Sequence, residues 1–310
     1  MPDLIRHPEG LLKNWIPAFA GMTTFLEIVF YGRTLIRERR FSHLRIKEKT
    51  MPKFSANLTM LFNEVEFLNR FERAARAGFK GIEYLFPYGW SKEELKEQLN
   101  KYGFVQVLHN LPAGNWQAGE RGVACLPGRE GEFQDGVGKA IEYAKALECS
   151  RLNCLVGKKP QGVSSEKVRQ TLVDNLRFAA NALEKEGIRF LIEPLNDQDI
   201  PGFYLVRTRD ALQLFEEINH PNLYLQYDIY HMQIMEGNLT KTILSNLSRI
   251  GHIQLADIPG RHEPGTGEIN FVNLFRFIDE AGYDGWIGCE YIPAGKTEDG
   301  LKWIKPYLVS

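Results

Sequence analysis

From Lys53 onward the sequence alternates eight short β-rich runs with segments of helical spacing, and this alternation limits the fold more than any other feature. The β-rich runs are 54–60, 81–86, 105–111, 152–156, 189–195, 223–229, 250–256 and 285–291, each apolar or β-branched and bounded by Gly, Pro, Asn or Asp. Between them, 64–77 places Phe67, Leu68, Phe71, Ala74 and Ala75 on one stripe, and Gly78 stops the helix. The segment 91–102 opens with Ser91 and Glu94, the spacing of a capping box. Helical patterns at 133–147, 165–185, 208–218, 240–246, 271–281 and 297–307 complete the series. Strict βα alternation implies parallel strands joined by right-handed crossovers. Eight such units in about 250 residues are the size of a (β/α)8 barrel. An open doubly wound sheet would carry a G-x-G-x-x-G turn after an early strand, and none is present. That absence also removes the usual reason to expect NAD or a flavin.

The first fifty residues differ from this pattern. They hold nine Lys/Arg against five Asp/Glu, so of the overall −1 they carry +4 and the remainder −5. The apolar stretch 15–31 is short and interrupted for a membrane span, and no signal-peptide layout is present. NWIPAFAGMT resembles the translation of a dispersed bacterial repeat, and Met51 immediately precedes the first β-rich run. The expectation is an extension over 1–50 outside the fold, in which local propensity permits a helix around 15–40, and a barrel domain over 51–310. The acidic body offers nothing to attract nucleic acid or an anionic membrane. The four cysteines lack paired C-x-x-C spacing, so free thiols and a cytoplasmic location are expected, with homo-oligomerisation left open.

In a barrel of this kind the site lies at the C-terminal ends of the strands. The last four runs each place a polar residue there: Glu193, Asp228, Gln254 and Glu290. One such carboxylate usually caps a loop or pairs with arginine. Three carboxylates in apolar surroundings must neutralise or bind a cation, and with an amide oxygen they suit Mg²⁺ or Mn²⁺. After the seventh run comes the polar loop 257–270, whose PGTG stretch invites a phosphate cradle.

Several unusual runs occur together and in order: HNLPAGNWQAGERG (109–122), NCLVGK (153–158), IEPLN (192–196), DIPGF (199–203), QYDIYHMQIMEG (226–237), ADIPGRHEPGTGEIN (256–270) and CEY (289–291). In this order they resemble the hydroxypyruvate isomerase family of the xylose-isomerase-like TIM-barrel superfamily. The resemblance implies interconversion of hydroxypyruvate and 2-hydroxy-3-oxopropanoate through an enediolate, a small oxo-acid substrate and no redox cofactor. It implies that Glu193 and Glu290 are the proton donor and acceptor, and that Glu193, Asp228, Gln254 and Glu290 hold the metal. Many relatives have histidine at Gln254, and many have Asn-Pro where this chain has Ile258-Pro259.

His231 matches a substrate-binding histidine of the superfamily. Arg261 is suited to clamp the substrate carboxylate, with a surface salt bridge as its plain alternative. His109, at the end of the third run, is weighed between a substrate contact and a core hydrogen-bonder. His252 is assigned to packing, and Trp116 either covers the pocket or anchors its loop. Since the implied substrate carries a carboxylate and no phosphate, the 257–270 loop is expected to serve as clamp and lid. Rivals are a 2-oxo-tetronate isomerase, a metal-dependent endonuclease of the same barrel type, and a non-catalytic sugar-acid-binding barrel. The acidic body opposes the endonuclease, and the pair of glutamates opposes the binding protein.

Overall fold

The computed structural model describes residues 52–308. The expected 1–50 extension and its helix lie outside the described residues. From the N-terminal side come β1 (Lys53–Asn57), α1 (Phe67–Arg76), β2 (Gly81–Glu83), α2 (Lys92–Tyr102), β3 (Val105–Asn110) and α3 (Glu130–Leu147). Next are β4 (Arg151–Cys154), α4 (Ser165–Lys185), β5 (Arg189–Ile192), α5 (Thr208–Ile218) and β6 (Leu223–Asp228). The series ends with α6 (Ile229–Met235), α7 (Leu239–Asn246), β7 (Ile250–Leu255), α8 (Phe271–Glu280), β8 (Trp286–Cys289) and α9 (Thr297–Gly300). Neighbouring strands pair in parallel around the ring, and β1 closes it against β8, giving the expected (β/α)8 barrel. Among the described residues no helix is long and apolar enough to cross a membrane. All four cysteines are free and buried.

All eight β-rich runs become strands, but each is shorter than its apolar stretch at the C-terminal end. The residues that drop out of the ladder there include Glu193 and Glu290, which turn from strand into the site. The Ser91 box forms as expected, with Ser91 Oγ accepting from Glu94 N and Glu94 Oε2 accepting from Ser91 N. α1 starts three residues later than its pattern, and Glu64 instead accepts from Thr297 N at 2.6 Å, tying the first loop to the C-terminal segment.

Two helical readings need correction. The pattern at 297–307 is not one helix: α9 ends at Gly300 and a 3-10 turn forms at Lys305–Tyr307. Pro306 cannot donate to a helix ladder. The broken path lets Trp303 and Tyr307 both pack edge-on against Phe54, at 5.3 and 5.4 Å. The second correction is α6, a helix not foreseen. Asp228 caps it, its Oδ1 accepting from Tyr230 N at 2.8 Å and His231 N at 3.4 Å. The sequence signal was an Asp directly before a mixed apolar run.

Candidate active site

Register sets the geometry. Asp228 pairs with Gln254, and Gln254 with Gly288, so Glu290 follows two residues beyond Gln254's partner. The four strand-end residues are therefore staggered in register, as the tilted strands of a closed barrel require. Even so, Glu193, Asp228, Gln254 and Glu290 are all buried.

Amides line this interior. Glu193 Oε2 accepts from Asn153 Nδ2 at 2.9 Å and Gln226 Nε2 at 2.8 Å. Asn153 Nδ2 also reaches Asn110 Oδ1 at 3.2 Å. Glu290 Oε2 accepts from Gln254 Nε2 at 2.5 Å and Asn57 Nδ2 at 3.1 Å, and Arg261 Nη2 lies 2.7 Å from its Oε1. Burial first, then the charges of Glu290 and Asp228, pushes the Glu193 carboxyl well above the usual range. Burial likewise raises Glu290, to about 8, against the lowering effect of Arg261. Asp228 is raised by burial too, with Arg261 and two backbone N–H groups opposing. Burial works against the Arg261 cation, but Glu290, Asp228 and Glu193 outweigh it and hold its proton more firmly.

Gln254 does not present its oxygen to this space, contrary to its expected role as a metal ligand. Its Nε2 lies between Glu83 Oε1 (2.7 Å) and Glu290, two acceptors that force the NH₂ to face them. Its Oε1 is then committed to Gln226 Nε2 at 2.6 Å. Among the described residues, Glu193, Asp228 and His231 bring ligand-type atoms within 4.8 Å of one another. His231 Nδ1, however, accepts from the backbone N of Asn196 at 3.2 Å, which places the ring proton on Nε2. An Nε2–H donates to an oxygen and does not ligate a cation. Burial, then the nearby Arg261, keeps this imidazole neutral, with its proton affinity well below normal. His231 therefore fits a hydrogen-bond donor to a substrate oxygen, and its Nε2 stands 3.7 Å from Asp228 Oδ2.

Among the described residues, Asp228 Oδ2 is a buried carboxylate oxygen left without a hydrogen bond. With Glu193 beside it, it forms a donor pair suited to a hard divalent cation that keeps further ligand positions for water or substrate. The residues present thus fit such an ion through Glu193 and Asp228, with Glu290 already engaged by Arg261.

Arg261 projects from the loop after β7 with its Nε buried and unpartnered. The loop is held by Asp257, whose carboxylate accepts from the backbone N of Ile258, Gly265, Gly267 and Ile269. The Gly265 and Gly267 amides of PGTG that a phosphate would need are therefore spent on the chain's own carboxylate.

Three other residues fall elsewhere. His109 is not brought to the site: Asn110 faces the interior, so strand alternation turns His109 outward, where its ring lies edge-on 6.2 Å from Tyr88. Burial depresses its imidazole to about 3. His252 is not apolar packing, since its Nε2 lies 2.9 Å from Glu83 Oε2. Trp116 meets Phe86 edge-on at 5.0 Å and lies under Arg121 at 3.8 Å. It lines a cavity of about 460 Å³ with Phe86, Tyr88 and Pro112, and none of Glu193, Asp228 and Glu290 lines that cavity.

Sequence reading missed Glu83, Asn57, Asn110, Asn153 and Gln226. Each sits on a strand and reads locally as an ordinary polar residue. The one available signal was the interior phase of each strand, since Asn57 and Asn110 close β1 and β3.

A closed parallel barrel with paired glutamates at its C-terminal rim defines a class, and the chain belongs to the xylose isomerase-like TIM barrel family, whose model matches residues 71–307. Within that family it is 58% identical to the hydroxypyruvate isomerase of Escherichia coli (strain K12), over 83% of this chain and 100% of that protein. It is 46% identical to the 2-oxo-tetronate isomerase of Cupriavidus necator, over 83% of this chain and 99% of the relative. A solved structure from Brucella melitensis, titled AP endonuclease, family 2, is 46% identical with a TM-score of 0.81, covering 83% of this chain and 99% of that one.

Proposed function

We propose that this protein is a hydroxypyruvate isomerase, interconverting hydroxypyruvate and 2-hydroxy-3-oxopropanoate by proton transfer between adjacent carbons. The observation that carries the reading is the burial of Glu193 and Glu290 in one site with raised proton affinities. Carboxyls with raised proton affinity are suited to take a proton from carbon and to return one, as the chemistry requires. Arg261 contacts Glu290 directly, so Glu290 is the more readily ionised of the two. In the direction from hydroxypyruvate, one of the two glutamates removes a C3 proton to give the enediolate. The C2 oxygen gains a proton as the C3 hydroxyl loses one, and the other glutamate delivers a proton to C2, the pair then returning to its starting state by proton exchange with water. The reverse reaction exchanges the roles.

His231 Nε2–H donates to a substrate oxygen, and Arg261, through its free Nε, meets the substrate carboxylate. Glu193 and Asp228 would hold a divalent cation such as Mg²⁺ or Mn²⁺, which would supply charge stabilisation for the enediolate oxygens. The higher identity to the hydroxypyruvate isomerase than to the 2-oxo-tetronate isomerase favours the three-carbon acid. A site with one arginine among several buried carboxylates is poorly suited to the polyanionic substrate of an endonuclease.

Turnover of hydroxypyruvate and of 2-oxo-tetronate, each with and without a chelator, tests the reading. The expected result is faster turnover of hydroxypyruvate, reduced by the chelator and restored by Mg²⁺ or Mn²⁺. Activity confined to the four-carbon acid overturns the substrate, and undiminished activity under chelation overturns the metal.

A further inference from the structure

Glu83 ends β2 and is fully buried in the barrel interior, where it gathers four donors. Ser55 Oγ (2.8 Å) and His252 Nε2 (2.9 Å) meet its Oε2, and Gln254 Nε2 (2.7 Å) and Asn57 Nδ2 (3.3 Å) meet its Oε1. Room for this carboxylate exists because Gly288 has no side chain; a Cβ there would stand 2.3 Å from Glu83 Oε1.

A carboxylate only accepts, so both amides must turn their NH₂ groups toward it. For Asn57 the same Nδ2 then reaches Glu290 Oε2 at 3.1 Å. For Gln254 the second proton goes to Glu290 Oε2 at 2.5 Å, and its oxygen is left to accept from Gln226. Gln226 in turn gives its other proton to Glu193 Oε2 at 2.8 Å. The hydrogen bonds therefore run with one sense through the barrel, and both glutamates receive them on Oε2. Glu193 Oε1 stays outside this relay.

We propose that Glu83 is a positioning residue: it fixes the sense of the Asn57–Gln254–Gln226 amide relay and thereby the orientation of both Glu193 and Glu290. This rests on the reading of those two glutamates as the proton-transfer pair. Glu83 itself takes no proton from the substrate. With a carboxamide in its place, two of the four converging donors face an NH₂ where an oxygen had been, and the relay loses its fixed sense.

The test compares wild type with Glu83→Gln in the full chain. Misplacing a catalytic group by about 1 Å costs on the order of 10²-fold, so kcat for hydroxypyruvate is expected to fall by about that factor. KM should stay within about threefold, because Arg261 and His231 are untouched. Gln254→Met should reproduce the kcat loss, and the double variant should be no slower than the slower single one, as for residues acting through one another. Unchanged kcat in folded Glu83→Gln, or losses that multiply in the double variant, overturn the proposal. If Glu83→Gln does not fold, Gln254→Met decides alone: a loss confined to kcat supports the relay, and unchanged kcat overturns it. A wild type inactive on hydroxypyruvate would refute the isomerase reading instead. The relay is then read by a crystal structure of Glu83→Gln, where displacement of the Gln254 amide from Glu290 supports it and an unmoved amide overturns it.

Discussion

The guanidinium of Arg261 rests on Glu290, Nη2 to Oε1 at 2.7 Å, and its other close carboxylate oxygen, Asp228 Oδ2, is 3.6 Å away. A loop residue thus supplies the fixed positive charge for a pocket of buried carboxylates, and it separates the two glutamates electrostatically. Glu290 has the cation and Glu193 does not touch it. Because truncating one partner of a buried charge pair leaves the other uncompensated, Arg261→Ala is expected to lower both kcat and thermal stability. Arg261→Lys should keep the charge but lose the planar fork, with kcat/KM falling about 10-fold to 10²-fold, consistent with the roughly 1.5–3 kcal/mol of a charged hydrogen bond. Steady-state kinetics with a melting curve for each variant checks both.

Glu193→Gln and Glu290→Gln should each reduce isomerisation by at least about 10³-fold, since each removes the group that carries a proton. Circular dichroism should show the barrel intact. Turnover within tenfold of wild type in either variant contradicts the mechanism.

The loop that presents Arg261 hangs on Asp257, which accepts from four backbone N–H groups. Asp257→Ala leaves those donors unpaired, each costing about 1 kcal/mol or more. KM for hydroxypyruvate should rise about tenfold or more as the guanidinium loses its fixed place, and hydrogen exchange in 258–269 should accelerate. Unchanged KM would show that the loop holds its shape without this carboxylate.

Stability should depend on pH through the raised carboxyls. A folded-state pKa above the unfolded value means the native state binds the proton more tightly, so the contribution is full below about 4.5 and is lost as pH rises toward the folded value. For Glu290 the folded value is about 8, and Glu193 shifts in the same direction. Chelated wild type should therefore lose stability between pH 5 and 8, and Glu290→Gln should flatten that slope. Denaturant titrations at several pH values measure it; an equal slope in the variant refutes the assignment.

Metal binding separates the two readings of Gln254. If its oxygen is committed to Gln226, Gln254→Met should leave Mn²⁺ affinity within about threefold, while Asp228→Asn should weaken it about tenfold or more, as loss of a ligand does. Calorimetry on both proteins decides, and a large loss with Gln254→Met would return that residue to the ligand set.

The sequence by itself determined the architecture. Strand and helix periods are local properties, and the positions of Gly, Pro and capping residues such as Ser91 mark where each element ends. It also located Glu193, Asp228 and Glu290 at strand ends, because barrel topology converts a place along a strand into a place at the site. The tertiary structure decided what each side chain does there. A strand's phase relative to the barrel axis turned His109 away and Asn110 inward. Hydrogen-bond direction bound Gln254 to the carboxylates and set the tautomer of His231. Glu83, on a three-residue strand far from Glu290 in sequence, came to share the Asn57 and Gln254 amides with it once the ring closed. Periodicity is written in nearest neighbours along the chain, whereas the sense of a buried hydrogen bond depends on which donors the closed barrel brings to each acceptor.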